Sequence, residues 1–252
     1  MRRLQPKTVE AWTRKALSIL QAAGDRRVAE QARTYFKAYD RVAFLGIKAP
    51  EIRAIEKRIY ESLKSAWSIA DALQFADSMV RNRYLEAKAV GILFLSRYAR
   101  SFDESLLTTI RGWLAAGHCS NWATTDTLST CVLTGLLRRR PHLLEELSAW
   151  TGSDCLWVRR AAAVSLTPLA RRGEHLDASY SVAAALLDDD EDLMHKAVGW
   201  LLRECGKTDP GRLEAFLRAQ GSRTPRTALR YAIERFPPVR RKRILEETKP
   251  RG

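Results

Sequence analysis

Apolar residues recur every three to four positions along almost the whole chain, the spacing that lines up one face of an α-helix. No stretch alternates as a half-buried strand does; Val164-Ser165-Leu166 alternates only briefly, between alanine runs. Helix punctuation is frequent. Pro50-Glu51, after the Leu45-Gly46-Ile47 turn, predicts a helix start with proline at the first helical position. Asp209-Pro210-Gly211 and Gly221-Ser222 predict breaks between helices. The pattern predicts an all-α fold.

A repeat narrows the architecture. Lys88-Ala89-Val90-Gly91 returns as Lys196-Ala197-Val198-Gly199, 108 residues later, and three steps of 36 residues fill that interval. The intermediate copies fall at Thr124 and at Arg160-Ala161-Ala162-Ala163. A period of this length with two helices per unit predicts a HEAT-like solenoid whose inner helices line a concave face. The expected organisation is one repeat domain over residues 1–252, with a basic tail from about residue 237. In that register Asp126, Arg160 and Trp200 occupy similar points of successive repeats and are expected to converge on one groove.

Composition then restricts the partner. The formal net charge is +14 and the pI is near 10.0, which favours a polyanion. The excess is uneven: residues 223–252 hold ten Lys or Arg against three Glu, a net +7. Arg223, Arg226 and Arg230 recur there at helical spacing, whereas Arg240-Arg241-Lys242-Arg243 reads equally well as a solvated tail. No apolar run reaches the roughly 18 residues that span a bilayer, and Met1–Lys7 has no apolar segment behind it, so the expectation is a soluble cytoplasmic protein. Cys119, Cys131, Cys155 and Cys205 are scattered without a Cys-x-x-Cys, and the histidines are as dispersed. Neither a disulfide framework nor a metal site is expected.

Trp122 and Asp126 stand four residues apart and share a helix face. An indole next to a carboxylate is unusual in so basic a chain. Taken singly, each has a structural reading, as core and as solvated surface. Arg160, at the head of a predicted helix, has the planar donor fork that suits phosphate oxygens, or it bridges repeats by pairing with Asp126. Arg159 is expected to face solvent. Lys196, Trp200 and Arg203 share a third face, cation–aromatic–cation, which fits a nucleic-acid backbone. Gly199, in mid-helix, is expected to leave room for a ligand beside Trp200.

Four motifs together resemble the AlkD family of bacterial DNA alkylation-repair glycosylases, built from HEAT-like repeats. They are the run from Phe44 to Arg53, Trp122 to Asp126, Trp157 to Ala161, and Lys196-Ala197-Val198-Gly199-Trp200-Leu201-Leu202-Arg203-Glu204. The resemblance extends from about Tyr35 to about Arg235. It implies that Asp126 is the catalytic aspartate, that Trp122 and Trp200 flank the deoxyribose of the lesion, and that Arg160 meets its phosphate. It also implies an aromatic near the lesion, in the place of Tyr35. With the charge pattern it makes Tyr35, Lys48, Lys196, Arg203, Arg226 and Arg230 the expected DNA-binding residues. Asn121 and Ala123 depart from the family pattern, where a relative carries Trp and Asp.

The implied reaction suits these groups. An N3- or N7-alkylated purine is already a cation, so its glycosidic bond breaks without an added proton, and positive charge grows on the sugar. A fixed carboxylate favours that charge. At ~4 Å and an effective dielectric near 20 it contributes roughly 4 kcal/mol, about a thousandfold in rate. The resemblance further implies that the base need not be flipped, that no cofactor is needed, and that a monomer acts on double-stranded DNA containing alkylated purines. Two rival readings stand beside it. A non-catalytic HEAT-repeat DNA-binding protein accounts for the charge but not for Asp126. A protein-interaction scaffold predicts an apolar or acidic face.

Overall fold

A computed structural model describes residues 8–37 and 42–249; Met1–Lys7 and the last three residues of the basic tail lie outside them. Among the described residues there are helices and turns and no strand, apart from one isolated parallel bridge between Ala43 and Tyr84. The chain divides into two compact units, Met1–Arg139 and Arg140–Gly252, where the sequence predicted one continuous array.

The first unit holds α1 (Val9–Ala23), α2 (Arg26–Arg33), α3 (Ala49–Leu63), α4 (Ile69–Val80), α5 (Leu85–Ser96), α6 (Ser105–Ala115), α7 (Trp122–Leu128) and α8 (Thr134–Arg139). Local chemistry sets the boundaries. Asp25 caps α2 by accepting from the amides of Arg27 and Val28, and Ser68 and Asp71 form a reciprocal capping box on α4. Pro50 lies in the first turn of α3, as its second residue, so the helix starts one position before the predicted Pro50. At the centre is α5, apolar on nearly every side, with Val90, Ile92, Phe94 and Leu95 fully buried. Helices α3, α4 and α7 pack around it. Gly91 admits α4, since a Cβ there would stand 2.6 Å from Met79 Cβ.

The second unit holds α9 (Leu143–Ala149), α10 (Leu156–Ala170), α11 (Leu176–Ala185), α12 (Asp192–Thr208), α13 (Pro210–Gln220), α14 (Arg226–Ala232) and α15 (Pro238–Glu247). Helices α10, α12 and α14 pack one against the next. Their first residues lie 36 and 34 positions apart, so the period in the sequence is the spacing of these helices. The alanines at 161, 162 and 163 are fully buried and hold α10 close to its neighbours. The predicted breaks fall in place: α12 ends before Asp209, which caps α13.

Two expectations are corrected here. The basic segment from 237 is folded up to its last described residues: Ile244 of α15 is buried, Arg240 pairs with Glu214 of α13, and Arg243 lies 2.7 Å from the same carboxylate. Gly199 does not leave room for a ligand. A Cβ there would stand 2.5 Å from Tyr231 Cβ and 2.6 Å from the Ala228 oxygen, so the glycine lets α14 press onto α12.

Candidate active site

Helix α7 opens on Asn121, whose side chain accepts from the Thr124 amide at 3.0 Å. One turn carries Trp122 and Asp126 on one face, as the spacing predicted. The threonines between them are anchors: Thr125 donates to Cys119 O at 2.7 Å, and Thr124 donates to Asn121 O at 3.2 Å. Thr130 donates to the Asp126 carbonyl at 2.7 Å. Such back-bonding loosens the regular helical ladder. The next turn, Ser129–Leu133, is a π-helix, a rare form enriched at functional sites. Nothing in the apolar spacing announced it.

Trp122 is 37 % exposed and stacks on Phe36, with centroids 5.2 Å apart and planes 15° from parallel. Phe36 in turn meets Phe44 at 5.0 Å. Such pairs contribute about 0.5–1.5 kcal/mol each beyond area burial and hold the indole in one pose. Sequence reasoning singled out Tyr35, which is 69 % exposed, and passed over its neighbour Phe36. A hollow of about 480 Å³ opens here, lined by Phe36, Phe44, Ile47, Lys48 and Trp122 among others.

The loop carrying Phe44 and Lys48 is fixed by Glu86, another residue the sequence did not flag. Its buried carboxylate accepts from the amides of Leu45, Gly46 and Ile47 at 3.0, 2.8 and 3.3 Å. Gly46 has φ +85°, and a Cβ there would stand 1.9 Å from Asp25 O, so only glycine fits. Lys48 is exposed. Arg53, on α3, is exposed and lies near the π turn. Burial pushes the Cys131 thiol up, and the Arg53 charge opposes that shift.

Behind α7, Lys88 is buried and donates to Val80 O and, at 2.7 Å, to His118 O. Burial pushes its ammonium below the usual lysine range. It braces the segment that leads into α7. Burial raises the neighbouring Cys119 thiol to about 12, so it stays protonated. Among the described residues no group of His, Cys, Asp and Glu is arranged to hold a metal ion.

The remaining expected residues lie in the second unit. Arg160 is 5 % exposed and donates to Leu193 O at the start of α12, so it joins two helices instead of reaching openly outward. Arg159 does not face open solvent: it pairs with Asp189 at 2.6 Å and donates to Ser153 O at 2.8 Å. Lys196 is half-buried and pairs with Asp192 at 2.7 Å; that bond holds its charge firmly, with the Tyr231 hydroxyl adding to the effect. Trp200, half-buried, is one turn further along α12. Arg203 pairs with Glu234. Arg226 is a tether, donating to Leu245 O and Thr248 Oγ1 at 3.3 Å. Arg223 precedes α14 and chelates Asp188, its closest oxygen at 2.6 Å. Arg230 is exposed.

In the second unit the fifth residue is a cation in each of the three packed helices, Arg160 in α10, Lys196 in α12 and Arg230 in α14; in the first unit the fifth residue of α7 is Asp126. The fold and these side chains define an α-helical protein that carries a carboxylate beside an indole and cations suited to nucleic acid. Residues 16–236 match the family described as DNA alkylation repair enzyme, and the chain belongs to that family. Among solved structures it is similar to a predicted DNA alkylation repair enzyme from Enterococcus faecalis. The TM-score is 0.75 at 18% identity, over 85% of this chain and 97% of that one, which shows a shared fold. No curated protein matches it.

Proposed function

We propose that this repair enzyme is a DNA glycosylase that hydrolyses the bond between deoxyribose and a cationic N3- or N7-alkylated purine in double-stranded DNA. The observation that carries this is Asp126 one turn from a half-exposed, stacked Trp122 on α7. When the C1′–N bond breaks, its electron pair neutralises the base and leaves positive charge on the sugar. Water then adds at C1′ and gives up a proton. Asp126 favours the sugar cation and orients that water. Trp122 and Trp200 offer indole faces to the cation, each contributing on the order of 0.5–2 kcal/mol. Arg160 serves the phosphate of the lesion nucleotide, its guanidinium held in place by Leu193. Tyr35, Lys48, Lys196, Arg203 and Arg230 bind DNA around the lesion, while Arg226 contributes by fixing α15. The base stays in or near the stack, and the protein acts as a monomer in the cytoplasm, without metal or cofactor.

The test is release of free 7-methylguanine or 3-methyladenine from methylated DNA. Asp126→Asn is expected to lower release by about a thousandfold, the value of one charge at ~4 Å, with duplex affinity retained. Near-normal release by this variant removes Asp126 from the mechanism. A DNA-binding module without activity gives no reason for a carboxylate beside Trp122, because that charge repels phosphates.

A further inference from the structure

We infer that Tyr231 of α14 is a DNA-contacting residue, which with Arg230 carries the strand past the lesion on the second unit. The inference rests on the reading above and extends it by one helix. Tyr231 is one of four large apolar side chains that stand exposed among the described residues, at 38 %. Its place is not incidental. The missing side chain at Gly199 lets the Tyr231 Cβ press on the backbone of α12, between the turns that bear Lys196 and Arg203. Tyr231 is therefore set next to the cation–indole–cation face.

Charge around it is favourable to an anion. Lys196, on the adjacent turn of α12, has Tyr231 among the groups that hold it protonated, after Asp192. Glu234, in the turn just after α14, is engaged by Arg203. Arg230 is exposed and holds the fifth position of its helix, as Lys196 does in α12. Exposure rises along the three packed helices, from Arg160 at 5 % through half-buried Lys196 to exposed Arg230. A phenol beside such cations has a use that an aliphatic residue lacks: its face packs on deoxyribose and its hydroxyl donates to phosphate.

The test uses the full chain and an unmodified, fluorescently labelled duplex, with affinity read by anisotropy over a range of salt concentrations. Tyr231→Ala is expected to weaken binding roughly tenfold, the size of one aromatic contact to nucleic acid, with the salt slope unchanged. Tyr231→Phe retains most of the affinity. Arg230→Ala lowers the salt slope by about 1, the share of one phosphate contact. On methylated DNA, Tyr231→Ala raises the concentration needed for half-maximal release and leaves the saturated rate alone. If the alanine variant is less stable, Tyr231→Leu keeps the packing on Gly199 and is expected to show the same tenfold loss. Wild-type affinity in the alanine or leucine variant, with a steep salt response in the parent, overturns the inference and leaves the glycosylase reading intact. A parent protein that ignores duplex DNA overturns both.

Discussion

Gly199→Ala and Gly112→Ala make the same chemical change in the middle of a helix, and the structure gives them opposite signs. Alanine is intrinsically the better helix former, by about 1 kcal/mol. At Gly112 in α6 no atom lies within 4 Å of the added methyl, so most of that gain is realised. At Gly199 the methyl meets Tyr231 Cβ at 2.5 Å and Ala228 O at 2.6 Å, where ordinary contact begins near 3.4 Å. The Ala228 oxygen is backbone, so α14 itself must move by close to 1 Å along its contact with α12. Overpacking of this kind typically costs about 1–3 kcal/mol, more than the propensity gain. For a protein of this size each kcal/mol moves Tm by roughly 2–4 °C. Gly199→Ala is therefore expected to lower Tm by several degrees, and Gly112→Ala to raise it by a few. Calorimetry on the two variants and the parent decides it. If both raise Tm, the close approach of α12 and α14 is not a constraint, and the placement of Tyr231 loses its basis.

Other consequences can be checked separately. Glu86→Ala leaves the amides of Leu45, Gly46 and Ile47 without their acceptor, two of these bonds being buried; a loss of about 3 kcal/mol in urea unfolding is expected, with wild-type stability the refuting result. Burial, aided by Arg81 and Lys88, pushes His118 below its ordinary value of 6.5. The unfolded chain therefore takes up this proton first, and stability falls as pH drops from about 6.5 through the folded value. His118→Gln is expected to flatten that part of a pH series of urea midpoints. Glu214→Ala releases Arg240 and Arg243 from α13; a loss of about 1–3 kcal/mol, with faster amide exchange confined to α13 and α15, is the expected reading.

What the sequence discloses and what it hides follow from range. Apolar spacing at 3–4 residues and the breaks at Asp209-Pro210 and Gly221-Ser222 are local, and the helices lie where they predict. The 36-residue period also survived as the spacing of α10, α12 and α14, because each helix must bury the same kind of face against the last. The destinations of long side chains did not. Arg159 reads as facing solvent, Arg243 as part of a solvated tail and Arg226 as a DNA contact, yet each ends on a partner 5 to 30 residues away. Net charge cannot reveal which arginines are engaged, since pairing depends on tertiary neighbours. Glu86 was hidden for the same reason: its three donors sit about 40 residues upstream. Phe36 and Tyr35 are neighbours in the sequence, and only the fold shows which of the two rings meets Trp122.

The charge of Asp126 sharpens the argument for its role. If α7 served only to bind DNA, selection for affinity would favour a neutral or cationic residue at position 126. A carboxylate there weakens attraction to every phosphate it faces, at roughly 1 kcal/mol for each unit charge at 4 Å in water and more where water is excluded. The residue makes physical sense where a positive charge forms near it during the reaction and is absent before and after. Asp126→Lys separates the two purposes better than removal of the charge does. It puts a cation where an anion stood, so duplex affinity is expected to rise and the salt slope to steepen by about 1, while base release is lost. A lysine variant that binds more tightly and still releases base would place the catalytic carboxylate elsewhere.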